Sequence, residues 1–441
     1  MAAIEYRASV APSIKPGVPV FTKAMNGKQG YFMIKRPHVA KSYVFGEKLA
    51  GQRKPSAAIF CARPPWSANT CRWLLWLALP LLGGSLVQAA KPVNGANYTF
   101  QGINVPAGCS GSNGSYTCVT LTLLAGDTIT ISSPTTITVV GLFTVGAASA
   151  INSLGAATNL TFVVGGITDI GAGSHVNANV TGTGVVTLGD KVKFTGNITT
   201  ANAVINLGDD GILVGNLTTG SGAVNVGDRS KVDGSIVATV AGVVTIGAES
   251  TVTGNIITKS GAVNVGAKGH VFGYIASTLA GVVTIGAQAM VDGNITTVSG
   301  AINLGAESNV GGSVSDSIAG AITVGYKAAV GGGISTNSGA ITLGDDVNAG
   351  GSVCTGLAGA ITVGDNVAVK GNIVTNAGAI TVGAKSRVDG TITAAIGAVT
   401  VASSAKVGVT ASKLECPNSP VKAKPVPPTL RSREWRQIFM R

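Results

Sequence analysis

The sequence predicts an all-β fold, a single-stranded parallel β-helix (β-solenoid) with coils of 19 or 20 residues. A glycine follows an apolar residue at each such interval from Gly189 to Gly383, and a second glycine stands seven residues later, from Gly196 to Gly390. The segments from the second glycine of one coil to the first glycine of the next alternate between a short and a long form. Each form contains a loop glycine, and the loop glycines of one form recur every 39 residues. This pattern predicts a two-coil super-repeat in which each coil depends on its neighbours for stability.

Within a coil, apolar and polar residues alternate as they do in strands with one buried face. Val224 and Val226 flank Asn225, and Val232 and Ile236 continue the buried face after short turns. Eleven such coils, stacked at about 4.8 Å, would form a rod on the order of 55 Å long. The long coils add one apolar residue before their loop glycine, which we expect to fill a wider cross-section: Val240, Leu279, Ile318 and Leu357.

Residues 1–89 predict a basic leader that ends in a secretory signal peptide. An apolar run over residues 73–87 leads into the small-residue site Val87-Gln88-Ala89, so we expect cleavage after Ala89. The run is short for a membrane span and contains Pro80, so the mature chain is predicted to have no transmembrane span. We therefore expect an exported protein at the cell surface, outside the cell or in the periplasm of a Gram-negative bacterium.

Residues 90–146 lack the repeat, and they predict an N-terminal cap over a solenoid that spans residues 147–412. Cys109 and Cys118 bracket a loop rich in Gly, Ser and Asn, and export leads us to expect a disulfide between them. Cys354 and Cys416 pair only if the end of the chain folds back across several coils. The alternatives for these two cysteines are a free thiol or an intermolecular bridge.

Residues 413–441 form a Pro-rich basic tail, a composition typical of an extended linker. Its end could form one short amphipathic helix that anchors the chain to a membrane surface or a partner groove. Trp435, Ile438 and Phe439 would then lie on one side of that helix. The alternative is a frayed basic tail.

The formal net charge of +12 is concentrated at the two ends of the chain. Residues 91–412 contain 12 Lys or Arg against 15 Asp or Glu, a net charge of −3, whereas the leader and the tail are basic. Nucleic-acid-binding surfaces combine a basic stripe with interleaved aromatic side chains, a pattern that the solenoid sequence lacks. The charge distribution therefore predicts no nucleic-acid partner.

Stacking in register places equivalent residues in ladders along the rod. One ladder, which we call the charged ladder, stands two residues after each first glycine, from Lys191 to Lys385. In successive coils its residues have opposite charges or one of them is neutral, which is typical of a solvated edge. A Thr/Asn ladder on an outward strand face predicts a flat surface that stacks along the axis or docks another rod, a glycan or ice. Its candidate interaction residues are Thr245, Thr284, Thr323, Thr342, Thr362 and Thr381.

The sequence lacks the residue combinations that mark catalytic or metal sites, which predicts no enzyme, no cofactor and no metal. His175 and His270 stand isolated in separate coils. The turn aspartates lie beside Lys191 and Arg229, which favours a salt-paired or weakly cation-binding corner over an acid/base pair that cleaves glycans. These aspartates are Asp190, Asp209, Asp210 and Asp228.

The repeat resembles the polymer-forming bactofilin β-solenoids. The resemblance lies in a Val-x-Ile/Val-Gly element followed by Val-x-Gly-Asn/Ser-Ile, over residues 243–256 and 380–392. The leader, the Tyr98-Thr-Phe start and the Cys109 to Cys118 loop are similar to the N-terminal region of MSHA pilus biogenesis proteins of the MshQ type. Both resemblances imply a structural protein of the bacterial envelope, and the first implies end-to-end assembly without a nucleotide.

Together these features predict a non-enzymatic, exported structural protein that self-associates into filaments or contacts other envelope, pilus or adhesion proteins. One alternative is a secreted β-helix that binds or cleaves a glycan, which the turn aspartates motivate. The other is an ice-binding protein, which the Thr/Asn ladder motivates although its Asn residues interrupt the regular Thr array.

Overall fold

A computed structural model describes residues 24–25, 28–29, 95–100 and 104–408. In the unit Val87–Arg441, the described residues form a parallel β-solenoid of about 15 turns, which confirms the predicted fold class. The helical content of this described part is one 3-10 turn, Ala157–Asn159. In the separate unit Met1–Leu86, the strands Ala24–Met25 and Lys28–Gln29 pair antiparallel.

Each coil crosses three sheets, which we call I, II and III in the order in which the chain enters them. The strands of sheet I are Asn97–Phe100, Thr128–Ile131, Ala150–Ile151, His175–Asn177, Lys193–Thr195, Ile212–Val214, Lys231–Asp233, Thr251–Val252, His270–Val271, Met290–Val291, Asn309–Val310, Ala329–Val330, Asn348–Ala349, Ala368–Val369, Arg387–Val388 and Lys406–Val407. The strands of sheet II are Cys109–Ser112, Ser115–Cys118, Thr135–Val139, Leu160–Val164, Asn179–Gly182, Ile198–Thr200, Leu217–Thr219, Ile236–Ala238, Ile256–Thr258, Ile275–Ser277, Ile295–Thr297, Val314–Asp316, Ile334–Ser338, Val353–Ala358, Ile373–Ala377 and Ile392–Ile396. The strands of sheet III are Leu121–Leu123, Phe143–Val145, Thr168–Ile170, Val186–Leu188, Ile205–Leu207, Val224–Val226, Val244–Ile246, Val263–Val265, Val283–Ile285, Ile302–Leu304, Ile322–Val324, Ile341–Leu343, Ile361–Val363, Ile380–Val382 and Val399–Val401.

Parallel pairing aligns each coil with the next. Val224 lies opposite Val244, and Val244 lies opposite Val263, so a coil contains about 19 residues as predicted. The 39-residue super-repeat stays a prediction. At about 4.8 Å per turn, the described coils span roughly 70 Å along the axis.

The core runs through the centre of the coils, because each strand turns alternate side chains inward. Val224 and Val226 are 0% and 3% exposed, whereas Asn225 between them is exposed. Coils near the N-terminal end hold larger side chains, and Phe143 and Phe162 stack there with ring centroids 4.4 Å apart. Toward the other end the core consists mainly of Ile and Val.

Three corners connect the sheets. In the coil that begins at Val224, residues 227–230 form the III–I corner, residues 234–235 the I–II corner and residues 239–243 the II–III corner. A Cβ atom on Gly234 would lie 2.0 Å from the carbonyl oxygen of Gly215 in the preceding coil. The backbones approach so closely that the second glycine of the repeat tolerates no side chain.

The III–I corner contains a column of residues with left-handed backbone. Arg229 has φ 54°, and the equivalent residue of almost every coil has a similar positive φ. A Cβ atom added to Gly173, in the same column, would meet nothing within 4 Å. The column therefore has room for side chains, and its cost is backbone strain. The non-glycine members are Ala148, Lys191, Asp210, Arg229, Glu249, Lys268, Gln288, Glu307, Lys327, Asp346, Asn366 and Lys385.

Polar side chains at the corners extend the hydrogen bonding between coils. At the I–II corner, Asn216 Oδ1 accepts from the backbone N–H of Ser235 at 2.8 Å. At the III–I corner, Ser230 Oγ accepts from the N–H of Gly211 at 3.0 Å and donates to the carbonyl of Gly208 at 2.8 Å. The contact of Asn216 explains why Asn or Ser follows the second glycine of the repeat, and the contacts of Ser230 explain a serine three residues after the first glycine.

The coils begin earlier in the chain than the sequence predicts. Strands between residues 97 and 146 belong to the same three sheets, so much of the expected 90–146 cap is already solenoid. The predicted disulfide is present, and it joins Cys109 and Cys118 across an antiparallel hairpin at the end of sheet II. The predicted leader and signal peptide, apart from the short hairpin, and the tail 413–441 lie outside the described residues.

The extra apolar residues of the long coils point outward, contrary to expectation. Their exposures are 53% for Val240, 53% for Leu279, 54% for Ile318 and 62% for Leu357. Val240, Leu279 and Ile318 occupy the II–III corner, and Leu357 lies near the end of the sheet II strand that leads into it. They do not fill a wider cross-section. The described residues contain no helix that is long and apolar enough to span a membrane.

Relief of left-handed strain is testable at Lys191, whose φ is 58°. We expect Lys191→Gly to be more stable than Lys191→Ala by about 1 kcal/mol, because alanine keeps the strain and glycine removes it. Urea unfolding followed by circular dichroism measures the difference. At Lys193, an exposed position on a sheet I strand, the order should reverse, with Gly less stable than Ala. The same order at both positions would contradict the strain argument.

Candidate interaction surfaces

The Thr/Asn ladder forms one column on the outer face of sheet III. Side chains stand there about 4.8 Å apart, and Asn225 donates to Asn206 Oδ1 at 2.8 Å. Asn alternates with Thr in the middle of the rod, whereas the last five described coils carry Thr alone. Register places all six predicted residues in this column: Thr245, Thr284, Thr323, Thr342, Thr362 and Thr381. Their docking role stays a prediction.

The charged ladder forms ion pairs between successive coils at the III–I corner. Arg229 Nε lies 2.8 Å from Asp210 Oδ1, and Lys268 Nζ lies 3.3 Å from Glu249 Oε1. The hydrogen bond from Arg229 lowers the pKa of Asp210, and the same contact raises the pKa of Arg229. All four side chains are exposed, so these pairs set the register of the edge more than they stabilise the fold.

The remaining turn aspartates bind backbone. Asp190 Oδ1 accepts from the N–H of Asp209 at 3.0 Å, and Asp209 Oδ1 accepts from the N–H of Asp228 at 2.9 Å. Asp228 Oδ1 continues the series to the N–H of Ala248 at 2.7 Å. Each carboxylate thus holds the next coil in place. The described residues contain no group of three or more His, Cys, Asp or Glu arranged to hold a metal ion.

His270 is not isolated, as the sequence suggested, but belongs to a small cluster on sheet I. Its Nε2 lies 2.9 Å from Asp292 Oδ1 in the next coil, and its ring stacks on Phe272 at 3.8 Å between centroids. Alignment of successive coils would have revealed this neighbourhood, because His270 pairs with Met290 two residues before Asp292. The cluster is a surface contact that joins two coils.

Asp316 is a buried carboxylate that the sequence analysis missed. It is 3% exposed at the inner end of a sheet II strand, where the neighbouring coils carry Thr297 and Thr336. Burial raises its pKa, and hydrogen bonds from the Thr297 hydroxyl and from the backbone N–H groups of Gly300 and Ile318 oppose that rise. These three donors lie 2.8, 3.1 and 3.1 Å from its oxygens.

The C-terminal end of the described solenoid is open. Val399, Val401 and Val407 occupy core positions in the last coil, yet they are 44%, 37% and 39% exposed. One coil earlier, Val382 and Val388 in the same columns are 2% and 1% exposed. The last strands of all three sheets also form the edge of the described array.

The N-terminal end is covered. Phe100 and Tyr116 are 0% and 4% exposed and meet edge to face, with centroids 4.9 Å apart. The hairpin closed by Cys109 and Cys118 lies beside them at the end of sheet II. The two ends of the described solenoid therefore differ, because the core is covered at the N-terminal end and exposed at the C-terminal end.

Two predicted features of the C-terminal region lie outside the described residues. These are the anchor residues Trp435, Ile438 and Phe439, and the cysteine Cys416. Cys354 is described and is 2% exposed on a sheet II strand. Its pairing with Cys416 stays open.

Comparisons with protein-family models, with curated proteins and with solved structures gave no match for this chain. The resemblance to bactofilins and to MshQ-type proteins therefore stays a prediction.

Replacement of Asp316 by its neighbours' residue should stabilise the rod. We expect Asp316→Thr to raise the free energy of unfolding at pH 7 by about 1 kcal/mol, because it removes a buried charge. Burial raises the pKa of Asp316 above its ordinary value, so the Asp316 carboxylate binds its proton more tightly in the folded protein than in the unfolded chain. Wild-type stability from this group is thus greatest at low pH and is lost as pH rises through the raised pKa.

The gain in unfolding free energy from Asp316→Thr should therefore shrink as the pH falls below the range in which an ordinary aspartate titrates. Urea unfolding at a series of pH values measures this change. Asp169→Thr is the matched control, because Asp169 is exposed on sheet III between Thr144 and Thr187. It should change stability by only a few tenths of a kcal/mol. Equal gains from both substitutions would refute a role for burial.

Proposed function

We propose that this chain is a non-enzymatic structural rod of the bacterial envelope or surface that self-associates through the open end of its solenoid. The observation that carries the proposal is the asymmetry of the ends: Phe100 is fully buried at one end, while Val399 and Val401 are exposed at the other. An uncovered end of a parallel solenoid presents unpaired strand edges and apolar core together, which favours association.

Two copies would meet through their open ends. Head-to-tail growth requires that the open end meet the opposite end of the next rod, and there the hairpin from Cys109 to Cys118 covers the first coil. Contact between two open ends around a two-fold axis needs no rearrangement of that hairpin. It would bury Val399, Val401 and Val407 of both copies.

The structural role is supported by what the polar residues of the repeat do. The serines of the III–I corner, the asparagines of the I–II corner and the turn aspartates bind backbone groups of neighbouring coils. The charged ladder pairs within itself. Such residues serve the stacking of coils, so a function in the ends and on the outer faces is favoured over one in a catalytic cleft.

Export is supported by the disulfide between Cys109 and Cys118, because disulfides persist in oxidising compartments. Envelope placement follows from the resemblances described above. We expect the protein isolated from a Gram-negative host to begin at Ala90, and N-terminal sequencing of the periplasmic or surface fraction measures this. An intact leader on protein found only in the cytoplasm would count against export.

The end contact is testable at Val401. We expect negative-stain electron micrographs of the wild-type chain to show rods joined end to end, and those of Val401→Asp to lack these junctions, because the charge enters the apolar end. Thr400→Asp is the matched control, since Thr400 is adjacent but lies in the outward column. It should keep the end-to-end junctions. Wild-type rods without such junctions at every concentration would overturn the end contact.

A further inference from the structure

The II–III corner, with the adjoining end of one sheet II strand, carries a stripe of exposed aliphatic side chains, which we call the apolar stripe: Val240, Leu279, Ile318 and Leu357. Each is more than half exposed. The same corners of the first two of these coils add Val243 and Val282, which are 40% exposed each. Within the described residues, more exposed large hydrophobic side chains lie on this corner than on the other two together.

The stripe is rigid and regularly spaced. The backbone N–H groups of Val240, Leu279 and Ile318 each donate to a carbonyl of the preceding coil at 2.8 Å, which fixes the protruding residues. Because they recur in every second coil, they stand about 9.6 Å apart. The coils in between have shorter corners, where a small, half-buried serine stands between two protruding aliphatic side chains: Ser260, Ser299 and Ser338. We call these serine positions the recesses of the stripe.

The surface around the stripe is almost free of charge. Between residues 236 and 397, the outer sides of sheets II and III and the corner that joins them carry one charged side chain, Lys259. The other exposed charges of this part of the rod lie on sheet I and on its two corners, at positions such as Glu249, Lys268 and Arg387. The rod is thus amphipathic in cross-section, with the apolar stripe at the centre of its uncharged side.

We propose that the apolar stripe pairs with the apolar stripe of a second copy of this chain, side by side and antiparallel. The spacing of the stripe selects this occupant, because another copy has protrusions and recesses at the same period of about 9.6 Å. A shift of one coil lets each protruding side chain enter a recess of the partner. For example, Leu279 would then face Ser299 of the second copy, and Ser299 would face Leu279.

The size of the stripe is sufficient for such a pair. From Val240 to Leu357 it spans six coil steps, or about 29 Å, and the three-residue strands of sheets II and III extend about 10 Å on each side of the corner. These strand faces alone give roughly 600 Å² per copy. Stable interfaces bury about 800 Å² per partner. Lys259 is the one charged side chain on these faces, so little desolvation cost opposes the contact.

The side-by-side pair stands without the end contact, but its consequence for assembly rests on the proposed function. A single two-fold contact closes on itself and gives only a dimer. Two different two-fold contacts on one molecule, at the end and along the stripe, link each copy to two neighbours. Rods that carry both contacts therefore extend into an open assembly.

Four full-length proteins separate the two contacts by sedimentation velocity over a range of concentrations. They are the wild type, the end variant Val401→Asp, the stripe variant Leu279→Lys/Ile318→Lys, and the combination of both. The wild type should form larger assemblies, each single-contact variant should stop at a dimer, and the combination should be a monomer. The two dimers should differ in shape, short and thick for the end variant and long and thin for the stripe variant.

The matched control is Ile212→Lys/Met290→Lys, which adds the same charges at sheet I positions that are 39% and 40% exposed. It should assemble as the wild type does, and circular dichroism should show that every variant is folded. A monomeric end variant at all concentrations would overturn stripe pairing and leave the end contact standing. Stripe pairing would also be overturned if the stripe variant formed assemblies of the same mass as the wild type. If instead the stripe variant were monomeric while the end variant still formed its short, thick dimer, the end contact alone would be overturned.

Discussion

The hydrogen bonds between successive coils are the interaction on which the rest of this protein depends. Each strand is short, and a three-residue segment such as Val244–Ile246 has no stability of its own. Its backbone donates to the next coil, as from Val244 N–H to the Ala262 carbonyl at 2.9 Å. Asn216 and Asp209 extend the same bonding at the corners with side-chain oxygens. The repeated residue types in the sequence are those that make these contacts between coils.

Because the coils stack in register, a residue type that recurs from coil to coil forms a continuous column on the surface of the rod. One Thr or Asn in each coil becomes a column along sheet III, and one alternating charge becomes a paired edge such as Asp210 with Arg229. One extra aliphatic residue in every second coil becomes the apolar stripe, with Leu279 and Ile318 both more than half exposed. The rod therefore has distinct sides around its apolar core, and association through such sides needs no binding pocket.

The individual character of the molecule lies where the repeat is broken. Asp316 replaces a buried Thr and introduces a buried carboxylate whose pKa is raised by burial. His270 and Asp292 join two coils on sheet I. Val401 lies in a core column of the last described coil, and its exposure distinguishes the open end from the end that Tyr116 helps to cover. These departures, more than the regular positions, direct attention to assembly.

The sequence by itself determined the coil length, the inward and outward alternation of each strand, the Thr/Asn column and the disulfide, because each depends on a short, repeated spacing of residue types. The tertiary structure decided the number of coils, since the strands before residue 147 pair in the same sheets without the glycine period. It also turned Leu279 outward and left Val399 exposed. Whether an aliphatic residue at a corner or an end is buried depends on backbone partners about 20 residues away, and residue type alone does not encode that.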